Sequence, residues 1–439
     1  MSSQPSPTAP ASWASRLPFY YGWIVVGVAF VTMAIGVNIR TAFSLLYPPL
    51  LAEFGWSRGE TAATFTFGFL VGAVISPVLG VAMDRFGPRR VVPFGACVVA
   101  AGLVLATLTT RQWHLYLTQG VLVGGGSIIF TYIGHSMFLP RWFRRRRGLA
   151  IGIAFSGVGV GSIVMFPWLQ AIIGGAGWRQ ACWVMAGLSL LVVAPLNAIF
   201  QRHLPEHLGL LPDGDAQAEP EAASPLSESK AAPAVDWTLR AALRSAPFWW
   251  ISAGSFCGLF AWYMVQVHQT KYLIEIGISP TAAAFALGFV PLAGVVGQIG
   301  LGHLSDRIGN EWVWTIACLG FALCYGLLLV LRAYPSLPLT YLMVAIQGGM
   351  GYGIASVFSL IPAQVFPGRS FASIFGIISV TSILGGAVGP WVAGAVQDVT
   401  GSYAPAFILA LLVSLVAIAC IWLAAQRRGT GSLKPASDS

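Results

Sequence analysis

The chain has 439 residues, of which 56% are hydrophobic and only 9% are charged, against about 25% charged in an average soluble domain. So few charges are too few to coat a soluble core of this size, and the mean hydropathy of +0.76 points to a polytopic membrane protein. The formal charge of +9 does not indicate a nucleic-acid partner, because the basic residues fall in short loops between apolar runs.

Residues 1–18 are rich in Ser, Pro and Ala and are expected to form a disordered cytoplasmic tail. A membrane-crossing helix needs about 20 apolar residues. Twelve such runs follow, at 19–46, 61–83, 91–109, 113–139, 148–171 and 178–200, then at 247–270, 281–304, 312–332, 338–364, 370–396 and 402–425. The first is long enough to span, so no cleavable signal is expected. The runs give an N-terminal six-helix half (19–200), a cytoplasmic linker (201–246), a C-terminal six-helix half (247–425) and a cytoplasmic tail (426–439). The middle of the linker, 213–235, has the composition of a disordered segment. The stretch Trp237 to Arg244 suits a short amphipathic helix on the membrane surface.

With both termini in the cytoplasm, only Arg58, Arg111, Arg179, Lys271 and Arg332 of the 24 Lys and Arg fall outside, and Arg40 lies within a helix. That bias favours a cytoplasmic-membrane protein with both termini inside. The run Arg144 to Arg147 is first of all a topology anchor that also meets membrane lipids. Six scattered cysteines without a C-x-x-C read as small buried hydrophobes, not as disulfides or a metal site.

The pattern G-x-x-x-D-R-x-G occurs twice, as Gly80, Asp84, Arg85 and Gly87 and as Gly302, Asp306, Arg307 and Gly309. The first copy continues into Pro88-Arg89-Arg90, whereas the second ends at Asn310-Glu311. One copy alone reads as a tight turn with solvated charges. Two copies at matching places in two six-helix sets point to a duplicated bundle, the build of secondary transporters. The glycines let a helix end and the chain turn. The aspartate can accept from a neighbouring helix N-terminus, and Arg85 can pair across the boundary between the halves.

The string from Gly80 to Arg90 resembles the signature loop of the major facilitator superfamily. The resemblance implies an all-α membrane protein with the major facilitator fold, 12 transmembrane helices in two six-helix halves. It also implies that this cluster locks the cytoplasmic side and breaks during transport, with a weaker lock at the second copy. Within that superfamily, the stretch Trp142 to Gly157 is similar to the signature entering helix 5 of the monocarboxylate transporter family. Tyr20-Tyr21-Gly22-Trp23 resembles the other signature of that family, without the acidic residue of animal members, and Leu204 to Gly214 resembles a segment after helix 6 in bacterial relatives, such as those of the oxalate-formate antiporter type. Gly148, Gly152, Gly157, Gly159 and Gly161 give helix 5 a small-residue packing face and, lying inside an apolar helix, are not a phosphate loop.

Ionisable residues at membrane depth are functional candidates. No carboxylate falls at mid-bilayer, which leaves Arg40, His135 and His268. Arg40 and His268 each fall about 30 Å along their helices, in the outer half of the bundle, so a guanidinium facing an imidazole is expected to clasp a small carboxylate. The plainer alternatives are a snorkelling arginine and a helix-end histidine. His135 reads as a structural histidine near the inner end of helix 4. Gln298 stands where many monocarboxylate transporters carry an arginine in helix 8, and Gly294 where animal ones carry an aspartate. Gln298 can still bond a carboxylate or hydroxyl, and His268 is the remaining candidate proton carrier. Tyr132 and Tyr352 complete the expected binding set.

The expected function is therefore secondary transport of a small organic anion, a monocarboxylate in the first place, with protons as a candidate coupling ion. Carboxylate exchange, or carriage of a neutral polar or aromatic compound, is the alternative. A membrane enzyme or sensor is a remote one, since no nucleophile and base share one depth. No cofactor and no metal are expected.

Overall fold

The computed structural model describes residues 18–56, 58–214, 237–266 and 268–429. All but Pro18 of the expected disordered N-terminal tail (1–18), nearly all of 213–235, and 430–439 lie outside these residues. Among the described residues, twelve segments are helical and apolar enough to cross a membrane. They are labelled α1 (Gly22–Phe54), α2 (Ala63–Phe86), α3 (Pro88–Ala106), α4 (Gln112–Arg141), α5 (Arg147–Ala176) and α6 (Trp178–Phe200) in the first half. The second half holds α7 (Ala246–Gln266), α8 (Gly288–Ile308), α9 (Asn310–Ala333), α10 (Leu337–Val365), α11 (Phe371–Thr400) and α12 (Ala404–Gln426).

The halves repeat one packing scheme. α5 lies against α1 in its own half and against α8 of the other, while α11 lies against α7 and crosses to α2. Small residues set these approaches, as expected where lipid supplies no hydrophobic drive between helices. A Cβ on Gly152 would collide with the Gln298 carbonyl of α8, and one on Gly80 with the Ala372 carbonyl of α11. The glycine face of α5 is shared. Gly148, Gly152 and Gly159 abut α8, whereas Gly157 and Gly161 abut α1.

α1 runs beyond its expected end at 46. It is helical from Gly22 to Thr41, turns at Ala42 and resumes over Phe43–Phe54. At the junction, Thr41 Oγ1 donates to the Val37 carbonyl and Ser44 Oγ to the Thr41 carbonyl, at 2.7 and 2.8 Å. These side chains satisfy backbone acceptors that the turn would otherwise free in an apolar medium. The far end of α1 is tied to the start of α6, where Glu53 accepts from Arg179 at 2.6 and 2.8 Å and from Trp178 Nε1 at 2.7 Å.

Helices α4 and α10 are the irregular ones. α4 passes through wide π turns (Tyr116–Gly125) and a tight 3-10 turn (Ser127–Phe130), then breaks at Thr131, whose ψ is 178°. α10 is interrupted by a 3-10 turn at Gly351–Gly353 and resumes over Ile354–Val357 and Leu360–Val365. Irregular backbone at membrane depth survives only where protein covers it or a cavity adjoins it.

At the end of the bundle that carries the G-x-x-x-D-R-x-G loops, the three segments singled out in the sequence converge. Tyr20 donates to the Trp142 carbonyl at 2.8 Å, Tyr21 to the Phe200 carbonyl at 2.6 Å, and buried Trp142 donates through Nε1 to the Arg202 carbonyl at 3.2 Å. The Asp213 carboxylate accepts from the backbone amides of Arg144 and Arg145 at 2.7 and 2.9 Å. Asp213 was expected to open the disordered stretch. It is instead folded onto the first half, because two peptide N–H groups there need an acceptor. The chain returns at Trp237, which packs edge-on against Phe366, and Thr238 caps a short helix over Leu239–Leu243 within the expected amphipathic stretch. Of the cysteines, all free, Cys97 is exposed and Cys257 half-buried, and the other four are buried as expected.

Candidate functional site

A cavity of about 160 Å³ lies between the halves. The first half lines it with Arg40 and Thr41 of α1, Phe65 and Phe69 of α2, and Thr131 and Tyr132 at the break in α4. The second half contributes Trp262 and Tyr263 of α7, Phe358 of α10 and Ile383 of α11. The i, i+4 spacing of Phe65 and Phe69 puts both rings on one face of α2. The wall is mostly aromatic and aliphatic, with few polar groups, the usual make-up of a small-molecule site.

Arg40 is the one charged residue among those lining this cavity. Since α1 continues to Phe54, Arg40 falls near the middle of its span, not toward the outer end. Its Cζ stands 4.0 Å from the centroid of the Phe69 ring and 5.9 Å from that of Phe65. A cation over aromatic faces is held in place without using its N–H donors. One guanidinium nitrogen, Nη2, is buried and has no hydrogen-bond partner. An unmet charged donor in such a place is costly unless a ligand supplies the acceptor.

Tyr132 and Gln298 come together as well. Tyr132 lies on the cavity wall in the first half, with its hydroxyl beside the buried Gln298 side chain of α8 in the second. The Gln298 carbonyl also accepts from Ser356 of α10 at 2.7 Å. The two side chains therefore meet from opposite halves beside the cavity, where α4 breaks at Thr131.

Tyr352 and His268 are placed differently. Tyr352 is buried behind Trp262, ring centroids 4.7 Å apart, and accepts from Gln266 at 3.2 Å, while Gln266 accepts from Trp262 Nε1 at 2.7 Å. It props a cavity residue without lining the cavity. His268 does not face Arg40. Its Nε2 bonds the Pro390 carbonyl at 3.0 Å and its Nδ1 meets the Tyr403 hydroxyl at 3.3 Å, both within the second half. Two competing partners on α11 and next to α12 take the ring away from the cleft. His135 is buried, with Nδ1 on the Thr131 carbonyl at 3.2 Å. Sequence reasoning missed Phe65, Phe69, Trp262 and Tyr263. The two aromatics with Gln266 one turn later were the available signal.

The two signature loops make matching contacts between the halves. Asp84 accepts from the backbone and hydroxyl of Ser373, at 2.9 and 2.8 Å, at the N-terminus of α11. Asp306 accepts from the backbone amides of Gly148 and Leu149, at 2.7 and 3.0 Å, at the N-terminus of α5. Each carboxylate thus sits on the positive end of a helix from the opposite half. Gly87 and Gly309 make the following turns at φ of +72° and +96°. Arg85 makes no ion pair across the halves among the described residues. It lies over the ring of Phe86, and the ion pair of Asp84 is with Arg141 at 3.0 Å. Arg89 donates to the Ala198 carbonyl at 2.8 Å, and Arg307 is exposed. Gly80 and Gly302 provide close approach between helices, not flexibility.

The Major Facilitator Superfamily family model matches residues 24–365 and 275–438. This chain belongs to the major facilitator superfamily. Within the superfamily it is similar to monocarboxylate transporter 13 of Bos taurus, 28% identical over 401 residues that cover 89% of this chain and 86% of that one. It is similar also to monocarboxylate transporter 12 of Rattus norvegicus, 27% identical over 413 residues, 89% of this chain and 82% of that one. Among solved structures, the superfamily fold recurs in the proton:xylose symporter XylE bound to 6-bromo-6-deoxy-D-glucose, with TM-score 0.68, 12% identity and coverage of 92% and 95%. FucP in the outward conformation gives TM-score 0.66, 15% identity and coverage of 94% and 99%. The chain is thus an integral membrane transporter of this superfamily, similar over most of its length to monocarboxylate transporters.

Proposed function

We propose that this transporter carries a small organic anion, a monocarboxylate, across the cytoplasmic membrane by alternating access, with both termini in the cytoplasm. The observation that supports this most is Arg40, a lone cation at mid-span whose buried Nη2 has no partner. A carboxylate meets the guanidinium fork with two parallel N–H···O bonds, and its apolar body lies against Phe69, Trp262 and Tyr263. Binding neutralises the one charge on the cavity wall. The halves then rock, breaking the Asp84 and Asp306 latches as the access side changes. In the proposed orientation the latches shut the cytoplasmic side.

A second reading, exchange of one carboxylate for another, is favoured by a specific observation. No carboxylate lines the cavity among the described residues, and both ring nitrogens of His268 are engaged elsewhere. An empty carrier must reorient with the Arg40 charge uncompensated, which is costly in a low-dielectric site, whereas a loaded carrier need not. Carriage of a neutral polar or aromatic compound is the remaining alternative, in keeping with Gln298 and the aromatic wall.

The test is uptake of a panel of labelled monocarboxylates and neutral aromatics into proteoliposomes, with and without internal carboxylate and with and without a pH gradient. Expected are saturable carboxylate flux, stimulation by internal carboxylate, and a drop of about 10–100-fold in Arg40→Ala, the worth of one charge-assisted contact. Unchanged flux in Arg40→Ala would overturn the carboxylate site. Strong dependence on the pH gradient alone would favour proton coupling over exchange.

A further inference from the structure

The signature-loop end holds a second, larger concavity of about 1520 Å³ that the transport reading does not use. Eight arginines line it, against two carboxylates, Asp84 and Glu206. They come from separate parts of the chain. Arg89 and Arg90 belong to the first turn of α3, Arg141 to the end of α4, Arg144 to the loop before α5, Arg202 to the segment after α6, and Arg369 to the loop before α11 in the other half. Topology alone asks for basic residues at this end, but it does not ask them to face one another around a hollow.

Internal ion pairing does not cover all eight guanidiniums among the described residues. Asp84 is already shared between Arg141 and Ser373. Arg141 Nη1 is engaged by His203, and Nη2 also reaches the Arg369 carbonyl at 3.3 Å, so this arginine bridges the halves. Arg90 and Arg144 are exposed and have no ion-pair partner among the described residues. Burial, and after it the like charge of nearby Arg89, lowers the pKa of Arg202. A set of converging guanidiniums that repel one another is a receptor for a multivalent anion, and planar forks match phosphate oxygens in pairs.

We propose that this concavity binds an anion bearing two or more phosphate groups, either a soluble polyphosphate or clustered anionic lipid headgroups, and that the bound anion holds the latches closed. The closing effect follows from the geometry. Its ligands belong to both halves, and Arg369 leaves the others when the signature-loop end opens. An anion that binds the closed arrangement better than the open one shifts the population toward closed by that ratio of affinities.

The experiment uses the purified full-length chain in nanodiscs of phosphatidylcholine and, separately, of phosphatidylglycerol, with inorganic triphosphate as the probe. In phosphatidylcholine discs, triphosphate is expected to raise the thermal midpoint by about 3–5 °C at saturation and to slow hydrogen–deuterium exchange in 141–149 and 367–373. Arg90→Gln with Arg144→Gln is expected to weaken triphosphate at least tenfold. Arg90→Lys with Arg144→Lys keeps the charge and should stay within a few-fold of the native chain, which separates lost charge from a damaged fold. If phosphatidylglycerol discs abolish the triphosphate response and are themselves protected over the same residues, the headgroup is the occupant. If triphosphate competes with that lipid undiminished, the soluble anion is. A response of equal size to acetate or chloride at matched ionic strength would reduce the effect to charge screening and overturn the proposal. So would equal triphosphate affinity in the Gln pair, or no binding and no protection in either disc.

Discussion

Arg40 is fixed by two phenylalanine faces and yet offers a free donor, so the geometry and the charge of this side chain can be separated by mutation. Arg40→Lys keeps the charge but replaces a planar fork by a point donor. It is expected to raise KM roughly tenfold with a smaller change in maximal flux, read from concentration dependence in proteoliposomes. Tyr132→Phe removes the hydroxyl that lies beside Gln298 of the other half. Its cost is about 1 kcal/mol, expected as a few-fold change in KM with the protein still well expressed. Arg40, Tyr132 and Gln298 were legible because a polar group inside an apolar run has to be explained. The direction of His268 was not. It depends on the turn where α7 ends at Gln266 and a new helix starts at Gln269, and residue spacing cannot give the rotation of a ring across such a turn. Trp262 and Tyr263 were lost among the other aromatics of an apolar chain.

At the scale of helices, the glycines of α2 and α5 decide whether the halves can close on each other. Gly152→Val places methyl groups against the α8 backbone, where there is no side chain to yield. Overpacking of this kind costs about 1–3 kcal/mol. Loss of flux and a lower thermal midpoint are expected, with Gly174→Val as the control, since a Cβ at Gly174 meets nothing within 4 Å. The number of helices and their rough positions could be read from hydropathy, because each span needs a fixed length of apolar residues. The continuation of α1 past its turn at Ala42 and the breaks in α4 and α10 could not. Those features are set by where side chains and neighbours re-satisfy freed backbone groups, which apolar runs do not record.

For the whole molecule, the repeated loops gave the duplication and the sites of the latches, but not their partners. Asp84 is held by an ion pair as well as by Ser373, whereas the bonds of Asp306 are to two backbone amides. The two copies thus differ in their bonds, and it is Arg141, not Arg85, Arg89 or Arg90, that supplies the ion pair of the first. Asp84→Asn is expected to open the signature-loop end more than Asp306→Asn does. In a background with the native cysteines replaced by serine, Ala355→Cys on the cavity wall reports this. An impermeant maleimide applied from the signature-loop side should label it several-fold faster in Asp84→Asn. Equal labelling in both variants would mean that the two latches carry equal weight.

Asp213 fastens the chain to the first half just before the undescribed part of the linker, and Trp237 fastens it to the second half just after. Each half thus holds its own end of the linker through residues on the described side of it. A gene split between residues 215 and 236 should yield two polypeptides that find each other in the membrane, co-purify and transport. A split made at 205, upstream of the Asp213 anchor, should not assemble as well, which co-purification of the two pieces would reveal.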